Sequence, residues 1–131
     1  MKTVSDVLDI VHPKLAGTVF KHSYPDGHTQ DEFTVINTVG VPADSIQTVQ
    51  VNVNTYVKDH GRGIPNLKRM NQMAQAAITA LKGFHDHTTG EVGQQVTDRV
   101  YIAFSNMAVL REEDMGMHFM NLRFKLTFLN N

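Results

Sequence analysis

The chain contains no cysteine, which excludes disulfides, thiolate metal ligands and cysteine nucleophiles together and fits a reducing compartment. It also has no apolar run approaching the roughly 18 residues that a membrane-spanning helix needs. The N-terminal segment, residues 1–6, has no apolar run before its first acidic residue. We therefore expect neither secretion nor a membrane partner, and a cytoplasmic location.

An excess of either charge is also lacking. Twelve basic and thirteen acidic side chains give a formal net charge of -1, and no five like charges follow one another. Because neutralisation of phosphates supplies most of the affinity for nucleic acids, sequence-specific nucleic-acid binding is not expected. The length of 131 residues fits one domain that packs its core without covalent links, so we expect residues 1–131 to form a single domain.

Two segments have apolar side chains at helical spacing. Residues 3–15 predict a first helix, which a proline near its end limits to about ten residues and which Thr3 or Ser5 caps. Residues 67–81 predict a second, longer helix with Asn66 in the capping position. The second segment has the stronger helical pattern.

Five segments have the β-branched or alternating pattern of strands. The strongest is 48–58, where valine and threonine alternate with amide-bearing and other polar side chains. The other four predicted strands are 18–22, 33–39, 99–106 and 119–128. Residues 83–98 predict a long loop or hairpin tip, and residues 107–117 predict a second exposed connection.

The order helix, three strands, helix, two strands predicts an α+β fold with a mostly antiparallel sheet of about five strands and two helices packed on one face. Alternation along the strands then places a set of polar side chains on the opposite face. These are Gln50, Asn52, Asn54, Asn121, Arg123 and Lys125. A face of this composition can remain solvated, line a lumen or contact a polar partner.

The tripeptide His85-Asp86-His87 is the most evident candidate for a metal site, because two imidazoles and a carboxylate are ordinary zinc ligands. No further ligand lies at a recognisable spacing. No serine lies in a Gly-x-Ser-x-Gly motif, and the acidic run 112–114 is typical of a solvated loop. We predict no catalytic residues, cofactor or metal; a small metal- or ligand-binding enzyme that uses the same tripeptide is the alternative hypothesis.

The alternating strand at 48–58, the short break after it and the helix at 67–81 form a recognisable arrangement. With a short helix and a Phe-Thr-Val-Ile strand before them and two closing strands after them, they resemble the tail-terminator and tail-completion (head-tail joining) proteins of long-tailed bacteriophages and prophages. The resemblance spans nearly the whole chain as an order of elements. It implies a ring, commonly of six copies, that caps the finished tail tube and joins it to the head connector, without catalysis.

The resemblance also implies the partners and the place of action. We expect a homo-oligomeric ring that contacts tail-tube and head-connector proteins, in the host bacterial cytoplasm during assembly and then in the virion tail. A related neck adaptor is a second interpretation of the same pattern. By position, we predict three groups of interface residues. His85 and His87 lie in a docking loop at 83–98, and Glu112, Glu113 and Asp114 lie in a second docking loop at 107–117. The third group, Asn52, Asn54, Arg123 and Lys125, lines a polar channel or a subunit contact.

Overall fold

One mixed sheet organises the part of the chain that the computed structural model describes: residues 2–25, 30–38, 40–43, 45–61, 63–81, 84–85, 92–97, 100–112 and 116–129, with residues 84–85, 92–97 and 100 described as backbone only. The elements are α1 (Val4–Val11), β1 (Val19–Lys21), β2 (Glu32–Thr38), β3 (Ile46–Lys58), α2 (Leu67–Leu81), β4 (Phe84–His85), β5 (Val92–Thr97), β6 (Val100–Glu112) and β7 (Met117–Leu129). Across the sheet the order is β1-β2-β3-β7-β6-β5-β4. Every pairing is antiparallel except that of β1 with β2.

The fold class predicted from the sequence is confirmed: the chain is α+β, with a mostly antiparallel sheet and both helices on one face. Each of the five predicted strands is present. The structure adds β4 and β5 within residues 83–98, where the sequence predicts a loop or hairpin tip. Backbone pairing with β6 places the polar strand β5 in the sheet.

Both helices begin at the capping residues that the sequence predicts. Thr3 caps α1, because its hydroxyl accepts from the Asp6 N–H at 3.3 Å while Asp6 Oδ2 accepts from the Thr3 N–H at 2.8 Å. A 3-10 turn with Pro13 ends this helix. Asn66 Oδ1 accepts from the Arg69 N–H at 3.2 Å and caps α2. Neither of these described helices has the length and apolarity to cross a membrane.

The main core lies between the two helices and one face of the central strands. From α1, Val7, Leu8 and Val11 are buried, and from α2, Met70, Ala74, Ala77, Ile78 and Leu81 are buried. They pack against inward-facing residues of β3 and β7, among them Val51, Val53, Leu122 and Phe124. Each such large side chain stabilises the fold by roughly 1.5–3 kcal/mol through burial, so this face fixes the position of β3 and β7.

A second, aromatic cluster occupies part of the opposite sheet face. Phe33 and Tyr56 stack with ring centroids 4.7 Å apart, and Tyr56 and Phe119 stack at 4.6 Å. The Tyr24 ring contacts both Phe33 and Tyr56 edge-on, and its hydroxyl donates to Glu112 Oε2 at 3.4 Å. The face that the sequence predicts to be polar is therefore polar along one part and apolar along the other, where the chain around Tyr24 covers it.

Ionisation of Tyr56 tests this cluster. Burial raises its pKa from 10.0 to about 12, and the charges of Tyr24 and Glu112 add to the rise. The unfolded chain loses this proton near pH 10 and the folded chain near pH 12, so the stabilisation is complete below pH 10 and is lost as the pH rises to 12. Between pH 10 and pH 12, we expect the free energy of unfolding, measured in urea, to fall more steeply for the native protein than for Tyr56→Phe. Equal losses would contradict a buried phenol.

The predicted exposed connection at 107–117 is wrong over most of its length. Strand β6 continues to Glu112 and β7 begins at Met117, and the two strands pair from Asn106↔Arg123 to Glu112↔Met117. The acidic residues near the end of β6 suggest a loop, whereas pairing along the long strand β7 keeps this segment extended. Cross-strand pairing decides the conformation here, as is common for strands with weak local preference.

Candidate assembly surfaces

Polar side chains form a continuous group on the sheet face away from the helices. We call this group the polar seam; its members are Asn37, Gln50, Asn52, Asn54, Asn121, Arg123 and Lys125. Cross-strand register brings them together in rows, with Gln50 opposite Lys125, Asn52 opposite both Asn37 and Arg123, and Asn54 opposite Asn121. The predicted residues Asn52, Asn54, Arg123 and Lys125 therefore share one face.

Asn121 is the centre of the hydrogen bonds in the seam. Its Nδ2 donates to Asn54 Oδ1 at 2.6 Å and to Asn52 Oδ1 at 3.4 Å, and its Oδ1 accepts from Arg123 Nε at 3.1 Å. Asn52 Nδ2 in turn donates to Asn37 Oδ1 at 2.9 Å. These bonds fix the direction in which the Arg123 side chain leaves the sheet.

Burial divides the seam into a supporting layer and a presented layer. Asn54 and Asn121 are buried, whereas Gln50, Arg123 and Lys125 are exposed. Within the described residues neither Arg123 nor Lys125 forms an ion pair. The seam thus presents two cations and an amide to a partner or to solvent. Asn54 is buried beneath them and accepts a hydrogen bond from Asn121, which in turn accepts from Arg123.

Removal of the central amide tests the seam. We expect Asn121→Leu to lower the free energy of unfolding by about 1–3 kcal/mol, because it leaves the buried Asn54 carbonyl without its donor. The double variant Asn54→Val/Asn121→Leu should recover most of that loss, since the neighbouring residues in the same row are Val35 and Ala108. Urea denaturation measures both values. A double variant as unstable as the sum of the single losses would contradict the coupling.

The outer edge of β6 lacks a partner strand along half of its length. Strand β5 pairs with β6 only from Val100 to Ala103. Among the described residues, no strand lies beside the outer edge of residues 105–112, which we call the open edge. Its backbone N–H and C=O groups on that side are therefore available for pairing with another chain.

The side chains of the open edge are as unusual as its backbone. Every residue from 105 to 111 is exposed, including Met107 at 46%, Val109 at 45% and Leu110 at 47%. Register places Met107 and Val109 on the helix-bearing face, because they lie opposite Leu122 and Met120, whereas Leu110 lies opposite Phe119 on the other face. An apolar strand that is exposed on both faces, with no described strand along one edge, has the features of an association site.

A cleft of about 230 Å³ lies at the other side of the molecule, between α2 and the residues that lead into β1. Its walls include Lys14, Gly17 and Thr18 on one side and Met73, Ala76 and Ala80 on the other. At its rim Glu32 accepts from Arg69 Nη2 at 2.6 Å and from Nε at 2.8 Å. These bonds hold the pKa of Glu32 below its ordinary value, and no ion-pair partner for Lys14 lies within the described residues.

A buried His–Asp pair joins the ends of β3 and β7. His118 Nδ1 lies 2.6 Å from Asp59 Oδ1, and the two side chains are 12% and 4% exposed. Asp59 Oδ2 is buried without a hydrogen-bond partner among the described residues. The pair therefore links the end of β3 to the start of β7.

The remaining predicted interface residues are only partly described. His85 belongs to β4, where the backbone alone is described, and Asp86, His87, Glu113 and Asp114 lie outside the described residues. Glu112 ends β6 and accepts from Tyr24. Across the described ranges, no three His, Cys, Asp or Glu side chains are grouped to bind a metal ion.

No family model matches this sequence, and comparison with curated proteins finds no match. The chemistry and geometry of the surfaces described above are therefore the basis for a functional proposal.

Proposed function

We propose that this chain is a virion structural protein that works by self-assembly, in the manner of a phage tail terminator. Copies form a closed ring, with six as the expected number, which caps the tail tube and joins it to the head connector. The observation that supports the proposal is the open edge of β6. It exposes three large apolar side chains and a row of backbone groups that no described strand pairs with.

An isolated chain has a physical reason to bury this edge. Soluble monomers protect sheet edges with charges, prolines, bulges or very short strands. The open edge has an irregular register near Asn106 and charges at 111 and 112, but the stretch from Met107 to Leu110 between them has no charge and no proline. Pairing with a second chain supplies main-chain hydrogen bonds and removes the apolar side chains from water. A ring in which each copy presents the same edge satisfies all edges at once.

The polar seam gives such a ring a second, different surface. The buried amide of Asn121 holds the exposed cation Arg123, and the exposed Lys125 lies two residues further along the same strand. Polar and charged groups of this kind fix partner choice and register more than affinity. We assign the seam to contact with tail-tube or connector proteins, or to the ring lumen, and this role requires no catalytic group.

A charge placed on the open edge tests the proposal. We expect the native protein to form a closed oligomer and Val109→Lys to be a folded monomer, because lysine on an edge opposes strand pairing. Tyr101→Lys is the matched control: Tyr101 is 38% exposed and lies in the same strand, but β5 and β7 pair with β6 on both sides of it. Mass by light scattering and ring shape by negative-stain electron microscopy are the readouts. Identical masses for both variants would contradict assembly through this edge.

A further inference from the structure

We infer that the open edge of one copy lies along β1 of the next copy, with Met107 and Val109 in the cleft between α2 and the residues before β1. The inference rests on the proposed ring and names the two surfaces that form its subunit contact. The occupant of the cleft is thus a second copy of this chain.

The positions of the two surfaces in the sheet fit a head-to-tail contact. Strand β1 forms one edge of the sheet, and the half of β6 that β5 leaves unpaired forms the other edge at that level. Four strand spacings of about 4.8 Å, or roughly 19 Å, separate them. One copy can therefore use both surfaces at once, and a contact between two different surfaces generates a ring when its rotation closes.

The two surfaces also agree in the sheet face that they use. Met107 and Val109 lie on the helix-bearing face of β6. The cleft opens on the same face of the sheet, because α2 forms its wall and segment 14–18 leads from α1 into β1. When a neighbouring β6 extends the sheet beyond β1, its helix-side residues are placed beside the cleft and Leu110 on the opposite face.

The size and the apolar wall of the cleft favour side chains of another copy over a small ligand. Small-molecule sites usually measure roughly 300–1,000 Å³, whereas the cleft measures about 230 Å³. Its α2 wall combines Met73, Ala76, Ala77 and Ala80 with Arg69 and Gln72. The methionine and alanine part of this wall accepts apolar side chains.

The competing arrangement is a two-fold pair in which two open edges contact each other. That pair would use the same surface twice and would leave the cleft and β1 uncovered. It would also give the two sides of the assembly the same surfaces, whereas a joint between a tail tube and a head connector needs two different sides.

Single-cysteine variants separate the two arrangements, because the native chain has no cysteine. Val109→Cys and Ala76→Cys are mixed with added oxidant and run on a denaturing gel without reductant. We expect a covalent dimer that contains one copy of each variant, and no dimer from Val109→Cys alone. Ile46→Cys mixed with Val109→Cys is the control for random collision, since Ile46 is exposed but lies outside both surfaces.

Each outcome decides between the arrangements. A dimer from Val109→Cys alone would overturn the inference in favour of two-fold pairing. An oligomer of the native protein without any Val109–Ala76 link would overturn the inference and leave the proposed ring intact. A native protein that remains monomeric would contradict the proposed function itself.

A steric variant gives a readout that does not depend on disulfide geometry. Ala76→Arg fills the cleft, whereas Gln75→Arg adds the same charge to an exposed position of α2 that does not line the cleft. We expect Ala76→Arg to weaken self-association roughly tenfold or more, as loss of a central contact does, and Gln75→Arg to leave it unchanged. Equal effects would contradict docking in the cleft.

Discussion

Replacement of His118 with alanine is expected to lower the free energy of unfolding by about 3–5 kcal/mol, because it removes the partner of a buried carboxylate. Asp59 is 4% exposed and its Oδ1 lies 2.6 Å from His118 Nδ1. Its second oxygen has no hydrogen-bond partner among the described residues. Guanidinium denaturation of His118→Ala measures the cost.

A second substitution separates charge burial from simple loss of packing. In the His118→Ala background, Asp59→Asn should restore part of the stability, since it removes the uncompensated charge. In the native background the same change should cost about 1 kcal/mol, the value of an ordinary hydrogen bond. Asp9→Asn, which breaks the exposed pair with Lys21, should stay within about 1 kcal/mol. A His118→Ala cost no larger than that of Asp9→Asn would contradict the buried pair.

Phe33→Ala is expected to be comparably severe, with a loss of about 3–5 kcal/mol in the free energy of unfolding. Phe33 is buried, stacks on Tyr56 and is contacted edge-on by Phe20 and Tyr24. Its removal leaves a void beneath the segment that covers this face. Because a domain of this size is stable by roughly 5–15 kcal/mol, the variant should unfold at much lower denaturant concentration.

Two further variants make the Phe33 result specific. Phe33→Leu keeps most of the apolar volume and should cost less than about 1.5 kcal/mol. Tyr101→Ala removes an exposed aromatic ring on the same sheet and should change stability by about 0.5 kcal/mol at most. Similar losses for Phe33→Ala and Tyr101→Ala would show that the aromatic cluster is not packed.

The elements that the sequence predicts best are those with strict local periodicity. Strand β3 alternates valine with polar residues over nearly its whole length, and α2 repeats apolar residues every three or four positions behind its Asn66 cap. In both, local pattern and tertiary packing favour the same structure, which is the condition under which such predictions hold.

The features that the sequence does not predict depend on contacts between distant segments. Phe20, Tyr24, Phe33, Tyr56 and Phe119 come from separate parts of the chain and meet only in the folded sheet. Tyr56 follows the polar alternation of β3, so local pattern assigns it to a solvated face. The strand character of residues 107–112 likewise arises from pairing with β7, and no local signal replaces that contact.

Of the candidate assembly surfaces, the polar seam can be predicted from local sequence, whereas the open edge and the cleft cannot. Alternation alone predicts that Asn52, Asn54, Arg123 and Lys125 share a face, and register confirms it. The open edge requires knowledge of where β5 ends on β6, and the cleft requires the packing of α2 beside β1. Continuous apolar residues from Met107 to Leu110 are the sequence signal that indicates the open edge, but a buried strand has the same composition.

The most direct test of self-assembly is the absolute mass of the native protein, measured by light scattering coupled to size exclusion over a concentration series. The proposal predicts a single closed oligomer, with six copies as the expected mass, that persists on dilution because every open edge is paired. A monomer at every concentration would contradict assembly through the open edge of β6.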